Sequence, residues 1–122
     1  MVAFYFLGVT EFQDMITPLI ELQKLGKNSW VCIFDCLDQK RQFYYYEKEE
    51  LINYVKQVCI SNNVPIPDIS FFGLEDEKKF AAEYDERSPK TVFIQSLSQK
   101  YPRWMPKADN SNIVHFSWGT DG

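Results

Sequence analysis

Phosphate-binding signatures are missing from this sequence. There is no G-x-G-x-x-G after the first apolar run, no P-loop lysine motif and no G-x-S-x-G elbow. Those absences argue against a nicotinamide enzyme and against a nucleotidase with a familiar phosphate cradle. Positive charge is also scarce: the net charge is −4 and the pI about 5.0, with no basic stripe, so nucleic acid is not the expected partner. Cys32, Cys36 and Cys59 are an odd number without C-x-x-C spacing, and the expectation is reduced, structural thiols. The lone His115 leaves no four-ligand zinc set. No apolar run approaches the ~18 residues of a membrane span, and no basic region precedes the first one, which makes the cytoplasm the expected compartment.

What is present is an ordinary globular composition of 122 residues, 45% hydrophobic and 25% charged. A chain of this size forms one domain, burying roughly 65% of its unfolded surface. Aromatic residues reach 16%, more than a small core needs, and the surplus is expected to line a cleft or an interface. There is no internal repeat, low-complexity tract or linker.

The organising stretch is Val2 to Val9, V-A-F-Y-F-L-G-V. It is apolar throughout rather than alternating, as befits a strand covered on both faces, the central strand of an open α/β sheet. Phe12, Met15, Ile16, Leu19, Leu22 and Leu25 recur at helical spacing up to Gly26, a left-handed terminator. Thr10-Glu11 is the candidate cap, and Pro18 implies a distorted first turn around Asp14 to Thr17. Trp30 to Phe34 reads as the second strand. Leu37 to Tyr46, with its Tyr44-Tyr45-Tyr46 run, has no clear pattern. Glu47 to Asn62 predicts a helix with Leu51, Ile52, Val55, Val58 and Cys59 inward, and Val64 to Pro67 is extended. Ile69 to Phe72 is the third strand. Glu75 to Glu86 predicts a helix with Phe80, Ala81 and Tyr84 inward, closed by Ser88-Pro89. Thr91 to Ile94 and Ile113 to Phe116 are the fourth and fifth strands, separated by a long loop, Ser98 to Asp109. The alternation predicts an α/β fold: a doubly wound, open parallel sheet of about five strands, Rossmann-like, in three layers with right-handed crossovers. A flavodoxin-like receiver layout is the competitor, but the tip of its third strand would need an aspartate where Phe72-Gly73-Leu74 stands.

In such sheets ligands bind over the carboxyl ends of the strands. The polar residues predicted there are Glu11, Gln13 and Asp14, then Asp35 and Asp38, then Gln95 and Ser96, and finally His115 with Ser117 to Asp121. A carboxylate among them would serve as general base toward a sugar or glycerol hydroxyl; Glu11 and Asp14 would otherwise simply cap a helix. His115, on a buried strand, reads more readily as a hydrogen-bonded core histidine than as a catalyst. In Ser117-Trp118-Gly119-Thr120, the glycine permits close backbone approach and Trp118 offers a stacking face for a sugar ring; Trp118 otherwise caps the sheet. Tyr101-Pro102-Arg103-Trp104 rims the same cleft or packs on a partner domain.

The segment Thr17-Pro18-Leu19-Ile20-Glu21-Leu22-Gln23-Lys24-Leu25-Gly26-Lys27 resembles the first helix of two-domain GT-B glycosyltransferases. Ile113-Val114-His115-Phe116-Ser117-Trp118-Gly119-Thr120 resembles a strand and turn late in their amino-terminal domain, in the glycerophosphotransferase and sugar-epimerase branches. All 122 residues map onto that one domain. The glycine-histidine pair often found after the first strand is replaced here by Glu11-Phe12-Gln13-Asp14, so Glu11 or Asp14 would take the place of a histidine base. The resemblance implies a domain that receives a sugar or polyol acceptor. Gln13, Gln95, Ser96, His115, Ser117, Trp118, Gly119 and Thr120 would contact the substrate, with no cofactor and no metal. A carboxyl-terminal domain would hold the nucleotide-sugar donor, making this piece inactive alone. The expectation from a different class is a non-catalytic α/β binding or assembly module, for which a homodimer is the natural state.

Overall fold

The apolar runs assemble into one parallel sheet. In chain order the elements are β1 (Val2–Phe6), α1 (Ile16–Lys24), β2 (Ser29–Phe34), α2 (Lys48–Ser61), β3 (Asp68–Phe72), α3 (Glu77–Arg87), β4 (Thr91–Gln95) and β5 (Asn112–Phe116). The computed structural model describes residues 1–7, 12–35, 48–95, 102, 104 and 112–116, with 95 and 112–116 described by backbone alone. The strand order is β3-β2-β1-β4-β5, every pairing parallel, with β1 in the centre. This is the Rossmann-like order, five strands of 3-2-1-4-5-6, and not the 2-1-3-4-5 order of a flavodoxin-like receiver. No described helix is long and apolar enough to cross a membrane.

Burial explains why β1 lacks alternation. Phe4 and Phe6 point to one face with Val31 and Ile33, where α1 and α2 cover them through Met15, Leu19, Ile20, Leu51, Val55 and Cys59. Ala3, Tyr5 and Leu7 point to the other face with Trp30, Cys32 and Phe34, beneath Phe80 of α3. Each buried Phe or Leu is worth about 1.5–3 kcal/mol of transfer free energy, and a central strand collects that on both sides. The chain winds from β1 to β3 with its helices on one face, then reverses to β4 with α3 on the other. Crossovers of a single hand require that change of face when the winding direction reverses.

Several local expectations are refined. The first strand ends at Phe6 and the chain bends at Leu7. Met15 is the N-cap of α1, and no side-chain hydrogen bond caps that helix. Thr10 and Glu11, the expected caps, lie outside the described residues. Pro18 is the third residue of α1, and the first ladder bond there is Leu19 N–H to the Met15 carbonyl at 3.1 Å. Its missing N–H is therefore one of the orphans every helix start carries. Leu25 is 70% exposed rather than inward. Gln23, four residues after Leu19, keeps to the buried stripe instead, its Nε2 donating to the Pro65 carbonyl at 2.6 Å. Gly26 takes φ +71° as expected of the terminator.

On α3, Ala81 is exposed, correcting its inward placement. The inward stripe is Phe80, Glu83, Tyr84 and Arg87, the i, i+3, i+4, i+7 pattern disguised by two charged residues. The guanidinium of Arg87 lies over the Trp30 ring, 4.9 Å from its centre, a cation–π contact that draws this charged residue inward. The described aromatic surplus also goes inward. Phe80 is within 6.1 Å, centre to centre, of Tyr5, Trp30, Phe34, Phe72, Tyr84 and Trp104. Trp104 therefore packs on its own domain's core, its Nε1 donating to the Leu74 carbonyl at 2.7 Å. Leu37 to Tyr46 and Cys36 lie outside the described residues; Cys32 and Cys59 are free and buried.

Candidate functional site

The winding reverses between β1 and β4, so the topological switch point lies over the carboxyl ends of those two strands, where open α/β sheets bind ligands. Beside it, the turn after β1 is nailed down by its apolar residues. Phe12 is buried, its ring 4.7 Å from that of Phe6 and 5.8 Å from that of Tyr54. Met15 is also buried, and its N–H donates to the Phe12 carbonyl at 2.9 Å. With both ends of the turn anchored, Gln13 is displayed to solvent and Asp14 is left half-buried. Partial burial pushes the Asp14 carboxyl above the ordinary aspartate value, because desolvation disfavours the charged form.

Across the switch point, Gln95 ends β4, and His115 in β5 is in register with Ile94. Two strand spacings, about 10 Å, separate β5 from β1. The backbone thus brings Asp14, Gln95 and His115 to the same end of the sheet. Glu11, Ser96, Ser117, Trp118, Gly119 and Thr120 lie outside the described residues, as does Asp38.

Sequence reasoning placed Asp35 at this end but passed over the turn from Gly73 to Asp76 beside it. Asp35, at the tip of β2, joins Gly73, Leu74, Glu75 and Asp76 around an open depression of about 340 Å³. The Asp35 N–H donates to the Phe72 carbonyl at 2.9 Å, which carries the β2–β3 pairing up to the rim. Asp76, the N-cap of α3, turns its carboxylate back to accept from the Gly73 N–H at 2.6 Å, while its own N–H donates to the Gly73 carbonyl at 3.1 Å. A Cβ on Gly73 would meet that carboxylate oxygen at 3.3 Å, tight enough to strain the turn. The signal was readable: a glycine three residues ahead of an aspartate that opens a helix. Among the described residues no three His, Cys, Asp or Glu side chains group to hold a metal ion. Chemically, the described carboxyl-end side chains Asp14, Asp35, Glu75 and Asp76 are hydrogen-bond acceptors, suited to hydroxyl donors. No family model matches this chain, and no curated protein matches it.

Proposed function

We propose that this domain forms the acceptor side of a glycosyltransferase-like cleft, binding the hydroxyl of a sugar or polyol at the switch point between β1 and β4. The observation that carries the reading is Asp14, which stands half-buried beside that switch point with its carboxyl raised by burial. A carboxylate with a raised pKa is a better proton acceptor at neutral pH than a free one. Asp14 takes the acceptor proton, with Glu11, three residues earlier in sequence, as the alternative base. Gln95, Ser96, His115, Ser117, Trp118, Gly119 and Thr120 are the residues that the resemblance would assign to substrate contact. The nucleotide-activated donor belongs to a second domain, as the resemblance to GT-B enzymes implies. Holding donor and acceptor in line supplies ~7–11 kcal/mol of the barrier, so this domain alone contributes binding and a base but little turnover.

The test is a titration of isotopically labelled protein with glycerol, simple sugars and nucleotide sugars, read as amide shifts. Saturable changes at Leu7, Gln13, Asp14 and Gln95 with the neutral hydroxyl compounds are expected, whereas silence at those amides throughout the panel would remove the reading.

A binding or assembly module is the second reading, favoured by the exposure of Leu25, Ile60 and Ile66, none of them near the carboxyl ends. Sedimentation over a concentration series separates the two: self-association that Leu25→Ser or Ile66→Ser abolishes supports assembly, and a monomer at all concentrations supports the cleft.

A further inference from the structure

β3 lies at one edge of the sheet, and its outer side is a row of backbone groups. The Phe72 carbonyl faces inward, accepting from the Asp35 N–H at 2.9 Å. By strand alternation, Ile69 and Phe71 turn their N–H and C=O groups outward. The Phe71 carbonyl accepts from Lys79 Nζ at 3.0 Å. The other outward groups, Ile69 N–H, Ile69 C=O and Phe71 N–H, have no partner among the described residues. No proline interrupts Asp68–Phe72. Such a row is a template for one more strand.

Charge is segregated along this edge. Asp68, at the amino-terminal end, keeps 70% of its side chain exposed although Arg87 bonds one carboxylate oxygen at 2.8 Å. At the carboxyl end, Lys79 Nζ lies 5.4 Å from the Phe72 ring centre and Lys48 Nζ 5.4 Å from that of Phe71. Lys79 has no ion pair among the described residues. Asp76, one turn earlier, gives its carboxylate to the Gly73 N–H instead. A strand acidic at one end and basic at the other is complementary to itself reversed.

That complementarity selects the occupant. A second β3 laid parallel and in register would set Asp68 against Asp68 and Lys79 against Lys79. Laid antiparallel about a two-fold axis at Ser70, it sets Ile69 opposite Phe71 and Asp68 opposite Phe72. Because Ile69 and Phe71 both face outward, each Ile69–Phe71 pair exchanges both of its N–H···O bonds. The Asp68 carboxylate then meets the ammonium that Lys79 of the second copy carries over Phe72. Lys79 yields the Phe71 carbonyl to an incoming N–H and gains that carboxylate. The half-buried side chains of Ile69 and Phe71 cover one another on the α2 face.

The geometry points to the outer edge of β3 as a self-association surface, pairing with β3 of a second copy in antiparallel register centred on Ser70, with an Asp68–Lys79 ion pair at each end. The two-fold closes the contact, so assembly stops at the dimer. β3 stands two strand spacings, about 10 Å, from β1. The dimer and the acceptor cleft are therefore tested separately, one by sedimentation and the other by amide shifts.

Sedimentation of the whole chain over a concentration series is the test, and a reversible monomer–dimer equilibrium is expected. Lys79→Glu and Asp68→Lys should each weaken it about tenfold by setting like charges together. An equimolar mixture of the two variants should recover the wild-type affinity, since both ends of the mixed dimer again join opposite charges. Ile69→Pro removes an outward N–H and no ladder bond; it should be monomeric, and it serves where Asp68→Lys fails to fold. Leu25→Ser should leave the dimer unchanged, which separates this contact from the apolar assembly surface. A monomer at every concentration would overturn the proposal. So would a Lys79→Glu dimer as tight as the wild type or tighter, which would make Lys79 a guard against pairing. A mixture no tighter than its components, a dimer retained in Ile69→Pro or one lost in Leu25→Ser would place the contact elsewhere and overturn it too.

Discussion

The indole N–H of Trp30 donates to Ser70 Oγ at 2.9 Å across forty residues of sequence, and the same hydroxyl donates onward to Glu83 at 2.8 Å. A buried core tryptophan on β2, an edge strand and a surface helix are thereby joined through one small side chain. Arg87 completes the clip by stacking on Trp30 and bonding Asp68 at the start of β3. The edge strand β3 is thus held by polar contacts as well as by its pairing with β2.

Ser70→Ala should therefore lower stability by about 1–3 kcal/mol, the cost of stranding a buried indole donor, whereas Ser70→Thr should lose less. Urea unfolding with an unchanged m-value checks this. A loss under about 0.5 kcal/mol would show that solvent replaces the hydroxyl.

Phe80 and Ala81 are neighbours on α3 with opposite surroundings. Phe80→Ala opens a hole among the stacked rings and should cost about 3–5 kcal/mol, a large part of the about 5–15 kcal/mol that holds a domain folded. Ala81→Ser, on the exposed face, should stay within about 0.5 kcal/mol. Comparable losses at both positions would contradict the orientation of α3.

The pH behaviour of Asp14 has a definite sign. Burial raises its carboxyl in the folded protein, so the folded state binds more protons than the unfolded one between the unfolded aspartate value, about 3.9, and the raised folded value. Stability contributed by this group falls as pH rises through that window. Asp14→Asn should consequently be the more stable form at neutral pH and lose that advantage in acid. Carbon-detected titration of the Asp14 carboxyl gives the check directly; a midpoint at or below about 3.9 would contradict both the stability shift and the proposed role as a base.

Cys32 and Cys59 are buried, and burial pushes both thiols up, away from the reactive thiolate. Iodoacetamide followed by mass spectrometry should leave both unmodified in the native protein and label both in urea. Labelling of Cys32 at native rates comparable to a free thiol would mean that β2 opens far more readily than its position in the sheet implies.

Much of the architecture was written in local pattern. The unbroken apolar run at β1, the helical spacing from Phe12 to Leu22 and the stripe Leu51, Val55, Cys59 each report burial directly, because a side chain's environment follows from backbone periodicity alone. Parallel pairing and a central β1 follow from the same runs, since a strand apolar on both faces needs helices on both.

Other features depended on partners distant in sequence. Gln23 is buried because Pro65, forty-two residues later, offers its carbonyl, and Arg87 faces inward because Trp30 presents a ring for it to cover. No local pattern announces either, for polar and charged side chains read as solvated until their partners are known. The candidate site divides in the same way. That acidic residues follow β1 and β2 is plain in the sequence. That Asp14 stands half-buried beside the switch point was decided by Phe12 and Met15 docking into the core, and that Lys79 reaches the outer edge of β3 was decided by how α3 packs beside that strand. Such facts belong to packing, because desolvation and hydrogen-bond satisfaction are properties of the assembled neighbourhood and not of the residue.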